Sequence, residues 1–275
     1  MIFAPREATL PELGLRYLEA GAGPAVLFLH GWAAFAEIWW GTMRALAPRY
    51  RVVALEWPGH GSTPADQEIL ELAELASRAA RAVEALGIGP ATVVGHSLGG
   101  RVAALQALDH AATVSRLVLV DAALSPAYIT PLGRRLLAPR ELQLSQWLSG
   151  LLGRGIGPLR PSTHDHAGGF LRPYLRRARY EALADPRSLQ VYLNDLFTGD
   201  VEQRLPDLKL PTMVITGARD PLISPRQARR AAELIPGARL AVLPRALHNP
   251  MDESPGAFHR LLYEWLEQTE LRMEH

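Results

Sequence analysis

Residues 93–101 read VVGHSLGGR: an apolar run, then a lone serine, Ser97, between Gly95 and Gly99, then a helix-forming stretch. If Ser97 is a bystander, a glycine-rich turn is enough to explain the spacing. The sharper reading is that small neighbours let the backbone close around a strained serine whose hydroxyl stands clear of a sheet. A helix beginning there would also aim unpaired N–H groups and its positive dipole end at any negative charge forming above the hydroxyl. What the rest of the chain brings to residue 97 decides between the two.

Short apolar runs bounded by Gly, Pro or charge predict buried strands over Ala25–Leu29, Arg51–Leu55, Thr92–Val94, Leu117–Val120 and Thr212–Thr216, and a weaker one over Arg239–Leu243. Amphipathic helices lie between them. In Asp66–Gly87, Ile69, Leu72, Ala76, Ala79, Val83 and Leu86 share one stripe, and Gly87 is placed to end the helix. Ser254-Pro255 reads as an N-cap followed by proline at the first helical position, with Phe258, Leu261, Leu262, Trp265 and Leu266 as the buried face. Strands alternating with helices predict an α/β fold, a mostly parallel central sheet with helices on both faces. Residues 124–208 break the alternation. They are rich in Leu, Arg, Gly and Pro, read as short helices, and predict a helical cap inserted into a core domain of residues 1–123 and 209–275.

A serine hydroxyl is a poor nucleophile without a base, and the base needs an acid to orient it. In an open parallel sheet such groups sit just past the C-terminal ends of strands. Asp220, in MVITGARDPL, follows one predicted strand, and His248, in LAVLPRALHNP, follows the next. Asp121, in LVLVDAA, ends another and stays open as an alternative acid or as a carboxylate capping its loop. An oxyanion needs two donors: the backbone N–H of Leu98 is one, and that of Trp32, after the sharp turn allowed by Gly31 in LHGWAAFAEIWW, is the other. Gly31, His96, Arg101 and Trp147 are the candidates for contact with substrate. Arg101 lies one helical turn beyond Ser97, where it either faces substrate or packs against the cap and pairs with a carboxylate. His30, His60 and His96 sit in glycine loops where a backbone hydrogen bond is the expected role. His164 and His166, with only Asp165 between them, lack a third ligand, so no metal site is expected. His259 and His275 are expected in solvent.

HGW at His30–Trp32, WPGHGST at Trp57–Thr63, GHSLGG at Gly95–Gly100, GARD at Gly217–Asp220 and LHNPMDESP at Leu247–Pro255 occur in one order along nearly the whole chain. In this the chain resembles the α/β-hydrolase superfamily. Leu247 departs from the pattern, since the family commonly has glycine before the histidine. The resemblance implies a cofactor-independent hydrolase with Ser97, Asp220 and His248 as its triad. A serine nucleophile disfavours the branches that attack through a carboxylate and favours esters cleaved through an acyl-enzyme. The loop HGWAAFAEIW is similar to that of the pimeloyl-carrier-protein methyl ester esterases, and Arg172, Arg176, Arg177 and Arg179 offer either a face for an acidic carrier or a solvated helix surface. Arg101 and PRALHN resemble the menaquinone-pathway synthase branch, which implies a carboxylate-bearing substrate. A receptor of the same fold with little turnover is the alternative of another class.

Composition agrees with an ordinary globular enzyme. The 275 residues are 48% hydrophobic and 21% charged, with a formal net charge of +1, against the basic excess of a nucleic-acid binder. With no cysteine, disulfides and thiol nucleophiles are excluded. No apolar run spans a bilayer and MIFAPREATLPEL lacks the order of an export signal, so a cytoplasmic enzyme is expected. Its expected partner is a small-molecule ester with an apolar acyl group, not nucleic acid or membrane, with monomer and dimer both open.

Overall fold

Short apolar runs become strands here because both faces of the sheet are covered, so successive side chains find a core on either side. The computed structural model describes residues 3–66, 70–137 and 184–273. Among them eight strands form one sheet: β1 (Arg6–Leu10), β2 (Leu15–Ala20), β3 (Ala25–Leu29), β4 (Arg51–Glu56), β5 (Ala91–His96), β6 (Val114–Val120), β7 (Thr212–Gly217) and β8 (Arg239–Leu243). Their order is β1-β2-β4-β3-β5-β6-β7-β8, antiparallel at β1–β2–β4 and parallel from β4 through β3 to β8. Alternation along each central strand divides the core in two. Leu27, Leu29, Val53, Leu55, Val93, Leu117 and Leu119 face one cluster, and Val26, Phe28, Val52, Ala54, Val94, Val118 and Val120 face the other.

Helices complete both layers. α1 (Trp40–Leu46) and α8 (Pro255–Met273) cover the second cluster with Met43, Leu46, Phe258, Leu262, Trp265 and Leu266. α2 (Leu72–Ala85), α3 (Leu98–Asp109) and α6 (Pro225–Leu234) cover the first. The first α2 residue is Leu72, later than the Asp66 expected from its stripe. Its C-terminus is as expected: Gly87 adopts φ +59°, its N–H bonds to the Glu84 carbonyl and that of Ile88 to Val83, a Schellman arrangement closed by two buried apolar side chains. The β1–β2 hairpin was not anticipated. β1 is largely exposed and mixes charge with apolar residues, so it carries no apolar run.

Between β6 and β7, the described residues hold α4 (Pro131–Leu136) and α5 (Pro186–Thr198), and no strand. α5 lies over the loops that follow β3 and β4. The Trp32 indole donates to the Leu189 carbonyl (2.8 Å), the Tyr192 hydroxyl donates to the Pro58 carbonyl (3.3 Å), and the Tyr192 ring stacks on His60. The short α7 (Pro250–Glu253) leads into α8. Among the described residues no helix is long and apolar enough to cross a membrane.

Candidate active site

β5 ends at His96 and α3 begins at Leu98, so the whole change of direction falls on Ser97, which takes φ +54° and ψ −115°. That backbone is strained for any residue with a side chain. It is held from both sides: the Ser97 N–H donates to the Val120 carbonyl at 2.9 Å, and its carbonyl accepts from Ala123 N–H at 3.0 Å. Gly99 explains the flanking glycine. A Cβ there would lie 2.4 Å from the Leu29 carbonyl oxygen and 2.5 Å from that of His30, so only glycine lets α3 start this close to β3. The Leu98 N–H is the first of α3, one of the donors that helix geometry leaves without an intrahelical acceptor.

The loops after β7 and β8 bring Asp220 and His248 to the same rim. His248 Nε2 lies 3.1 Å from Ser97 Oγ, and Nδ1 lies 2.7 Å from Asp220 Oδ2. All three residues are buried. Asp220 is fixed by its other oxygen, which accepts from the N–H groups of Leu222 (2.8 Å) and Ile223 (3.0 Å). With imidazole neutral, Nδ1–H donates to Asp220 and Nε2 is free to accept the serine proton. His96 Nε2 donates to the His248 carbonyl at 2.7 Å, tying the backbone of residue 248 to the end of β5. Leu247 has no positive φ, so the position makes no demand for glycine, and the Glu253 carboxylate accepts its N–H. The glycine that this loop does require is Gly217, where a Cβ would fall 1.9 Å from the Leu247 carbonyl oxygen.

Asp121 also arrives here, at φ +40°. Its Oδ1 accepts from the Thr216 hydroxyl (2.8 Å) and the Gly217 N–H (3.0 Å), which caps the end of β7. The hydrogen bond from His248 Nδ1–H is accepted by Asp220. Burial, then the adjacent Asp220 charge, push the Asp121 carboxyl well above the usual carboxylate range. Asp121, Asp220 and His248 are the set among the described residues with ligand atoms close enough for a metal ion, within 4.8 Å of one another. The direct 2.7 Å contact of Asp220 with His248 leaves no gap for an ion between those two.

The loop after β3 closes the other side. A Cβ on Gly31 would sit 3.1 Å from Ser97 Cβ, so the backbone leading into Trp32 runs against the serine. That loop is held by buried polar groups that sequence reasoning missed. Glu56, at the end of β4, accepts from the N–H groups of Ser62 (2.9 Å), Thr63 (3.1 Å) and Ala36 (3.3 Å) and pairs with Arg16 at 2.9 Å. Arg16 also holds Glu37 at 2.7 Å and Glu7 at 2.8 Å. The signal available was a glutamate closing a buried apolar strand. His30 donates from Nδ1 to the Gly31 carbonyl and accepts at Nε2 from Trp57 N–H, while His60 donates to the Pro58 carbonyl and accepts from Ala33 N–H.

The buried Arg101 side chain reaches the chain after β6 and the end of α5. Its guanidinium donates to the carbonyls of Ala123 (2.6 Å), Asp195 (2.9 Å) and Leu196 (3.1 Å), capping the C-terminal end of α5, and burial lowers its pKa to about 10. His259, expected in solvent, is half-buried and pairs with Thr42 Oγ1 at 3.1 Å, because α8 packs on α1 at that point. Trp147, His164, His166, Arg172, Arg176, Arg177, Arg179 and His275 lie outside the described residues.

A family model described as alpha/beta hydrolase fold matches residues 24–255. A pimeloyl-[acyl-carrier protein] methyl ester esterase of Aeromonas hydrophila is 30% identical over 248 residues, 88% of this chain and 95% of its own. A pyrrolizixenacetamide deacetylase of Xenorhabdus hominickii is 29% identical over 258 residues, 91% of this chain and 93% of its own. Among solved structures, a thermophilic esterase from Thermogutta terrifontis superposes with a TM-score of 0.74 at 23% identity, covering 92% of this chain and 93% of its own, a likeness of fold. The strained serine, the strand-end placement of its neighbours and the match across the sheet lead to one assignment: the chain belongs to the α/β-hydrolase fold family.

Proposed function

We propose that the protein hydrolyses carboxylic esters through an acyl-enzyme, with Ser97 as nucleophile, His248 as general base and then acid, and Asp220 as the carboxylate that orients it. The observation that carries this reading is the chain of contacts from Ser97 Oγ to His248 Nε2 (3.1 Å) and from Nδ1 to Asp220 Oδ2 (2.7 Å). As Oγ attacks the ester carbonyl, Nε2 takes its proton, and the imidazolium formed is stabilised by Asp220. The backbone N–H groups of Leu98 and Trp32 are the donors assigned to the oxyanion, the first reinforced by the dipole of α3. His248 then returns the proton to the leaving alcohol, and activated water releases the acid.

Residues 124–208 act as the cap that chooses the substrate, and α5, seated over the loops after β3 and β4, supports that role. The substrate class is a small ester with an apolar acyl group, an assignment supported by the methyl ester esterase among the relatives. A carboxylate clamp at Arg101, as in a synthase-like lyase, is disfavoured because its guanidinium is engaged by the carbonyls of Ala123, Asp195 and Leu196. A fluorophosphonate probe tests the reading directly. Stoichiometric labelling of wild type, lost in Ser97→Ala, together with turnover of p-nitrophenyl acyl esters, is the expected outcome. An unlabelled wild-type protein overturns it in favour of a binding role.

A further inference from the structure

We infer that Asp121 is held as a neutral carboxylic acid whose proton is donated to Asp220, making it a positioning residue behind the triad's carboxylate. The inference rests on the triad reading above. It starts from a buried atom without a partner: among the described residues Asp121 Oδ2 has no donor to accept from, and its residue is only 2% exposed. An ionised carboxylate in that state leaves a charged acceptor unsatisfied, which is expensive. The group beside it is the Asp220 carboxyl, the ligand oxygens of the two lying within 4.8 Å of each other. Two buried carboxylates this close repel each other, and a proton on one of them removes the repulsion and supplies the missing donor.

The partners decide which one. Asp220 receives three donors, His248 Nδ1–H and the N–H groups of Leu222 and Ile223, an arrangement suited to an anion. Asp121 receives two, both on Oδ1, and its second oxygen is bare. Placing the proton on Asp121 Oδ2 satisfies that atom and gives Asp220 a fourth donor. Among the described residues the titratable groups facing Asp121 are Asp220 from the loop after β7 and His248 from the loop after β8; the partners on β7, Thr216 and Gly217, are uncharged. The left-handed backbone at residue 121, with its N–H bonded to the Ile215 carbonyl at 2.9 Å, fixes the carboxyl in place. Asp121 therefore acts through Asp220: its O–H occupies the carboxylate from behind, restricts its rotation and leaves Oδ2 aimed at the imidazole.

Asparagine mimics a neutral acid and cannot mimic an anion, so Asp121→Asn is the deciding variant. Its amide accepts from Thr216 and Gly217 and donates to Asp220. The expected result is a kcat/KM–pH profile on p-nitrophenyl esters that superimposes on wild type, within about threefold, while Asp121→Ala loses roughly ten- to a hundredfold. Infrared difference spectra at neutral pH supply a readout that a purely structural role would not move: a protonated-carboxyl C=O band in wild type, absent from Asp121→Asn. If that variant fails to fold, a shift of the same band in Asp220→Asn carries the test, because a proton shared with Asp220 must respond to its replacement. A missing band, or an Asp121→Asn protein as impaired as Asp220→Asn, overturns the inference. Fluorophosphonate labelling of Ser97 is read on the same samples. Labelling without the band sinks only the Asp121 proton, and a band without labelling sinks only the esterase reading.

Discussion

Two buried polar clusters sit at the same rim of the sheet, and only one is suited to chemistry. Around β2 and β4, Glu56 faces Arg16, three backbone N–H groups and the Thr63 hydroxyl, and both nitrogens of His30 and of His60 are taken up by main-chain partners. Around β5 to β8, Asp220 and Asp121 share a site with no guanidinium among the described residues bonded to either carboxylate, and His248 keeps one nitrogen facing a hydroxyl. The first cluster has its buried carboxylates and imidazoles engaged by the Arg16 guanidinium and main-chain groups, so moving a proton breaks a bond already made. The second has an acceptor poised beside a donor, so moving a proton is its natural event. Burial of polar groups thus marks both structure and function, and whether every group already has its partner separates them.

The largest effect expected to sharpen this contrast is at Asp220. Asp220→Asn keeps the shape and favours the wrong imidazole tautomer, so kcat falls by about 10⁴ with a melting temperature within a few degrees of wild type. Activity within tenfold of wild type would remove Asp220 from the triad. Glu56→Ala should show the reverse pattern. Arg16 keeps Glu37 and Glu7, but three loop N–H groups and the Thr63 hydroxyl lose their acceptor, a stability loss of about 3–5 kcal/mol by urea denaturation. Folded Glu56→Ala protein, assayed well below its transition, should retain kcat within about tenfold on the view that this cluster only supports the loops. A stable variant with kcat reduced a thousandfold would erase the distinction between the two clusters.

The two clusters also differ in how well the sequence displays them. The parallel strands β3 to β7 are legible because burial on both faces writes them as unbroken apolar runs, and Ser97 and Asp220 stand just beyond two of them, while His248 follows the part-exposed β8. The Arg16–Glu56 pair is invisible by the same criterion. It exists because Arg16 and Glu56 are register partners across the antiparallel β2–β4 ladder, and β2 belongs to a hairpin whose first strand is half solvent-facing and full of charge. Asp121 is legible as a strand-end carboxylate, but its contact with Asp220 depends on the positive φ at residue 121 and on two loops meeting, which no local pattern encodes. Arg101 is similar: its helical position is plain from the sequence, and its three carbonyl acceptors come from residues 123, 195 and 196.

The smallest effect concerns the imidazoles of the quiet cluster. His60 is buried, its Nε2 must stay unprotonated to accept from Ala33 N–H, and burial lowers its pKa to about 4. An unfolded chain binds that proton near pH 6.5. The stabilisation from keeping His60 neutral is therefore complete above about pH 6.5 and is lost as the pH falls toward 4, by at most about 3 kcal/mol. His30, lowered by the same cause, adds to the slope, while Glu56, whose carboxyl is raised by burial, opposes it. The difference between wild type and His60→Gln isolates one contribution. Between pH 6.5 and 4 the variant should lose less stability than wild type, measured as melting temperature at each pH. Parallel curves would mean that the His60 ring gains its proton without opening the loop, and that the Glu56 side of the rim is less closed to protons than its hydrogen bonds imply.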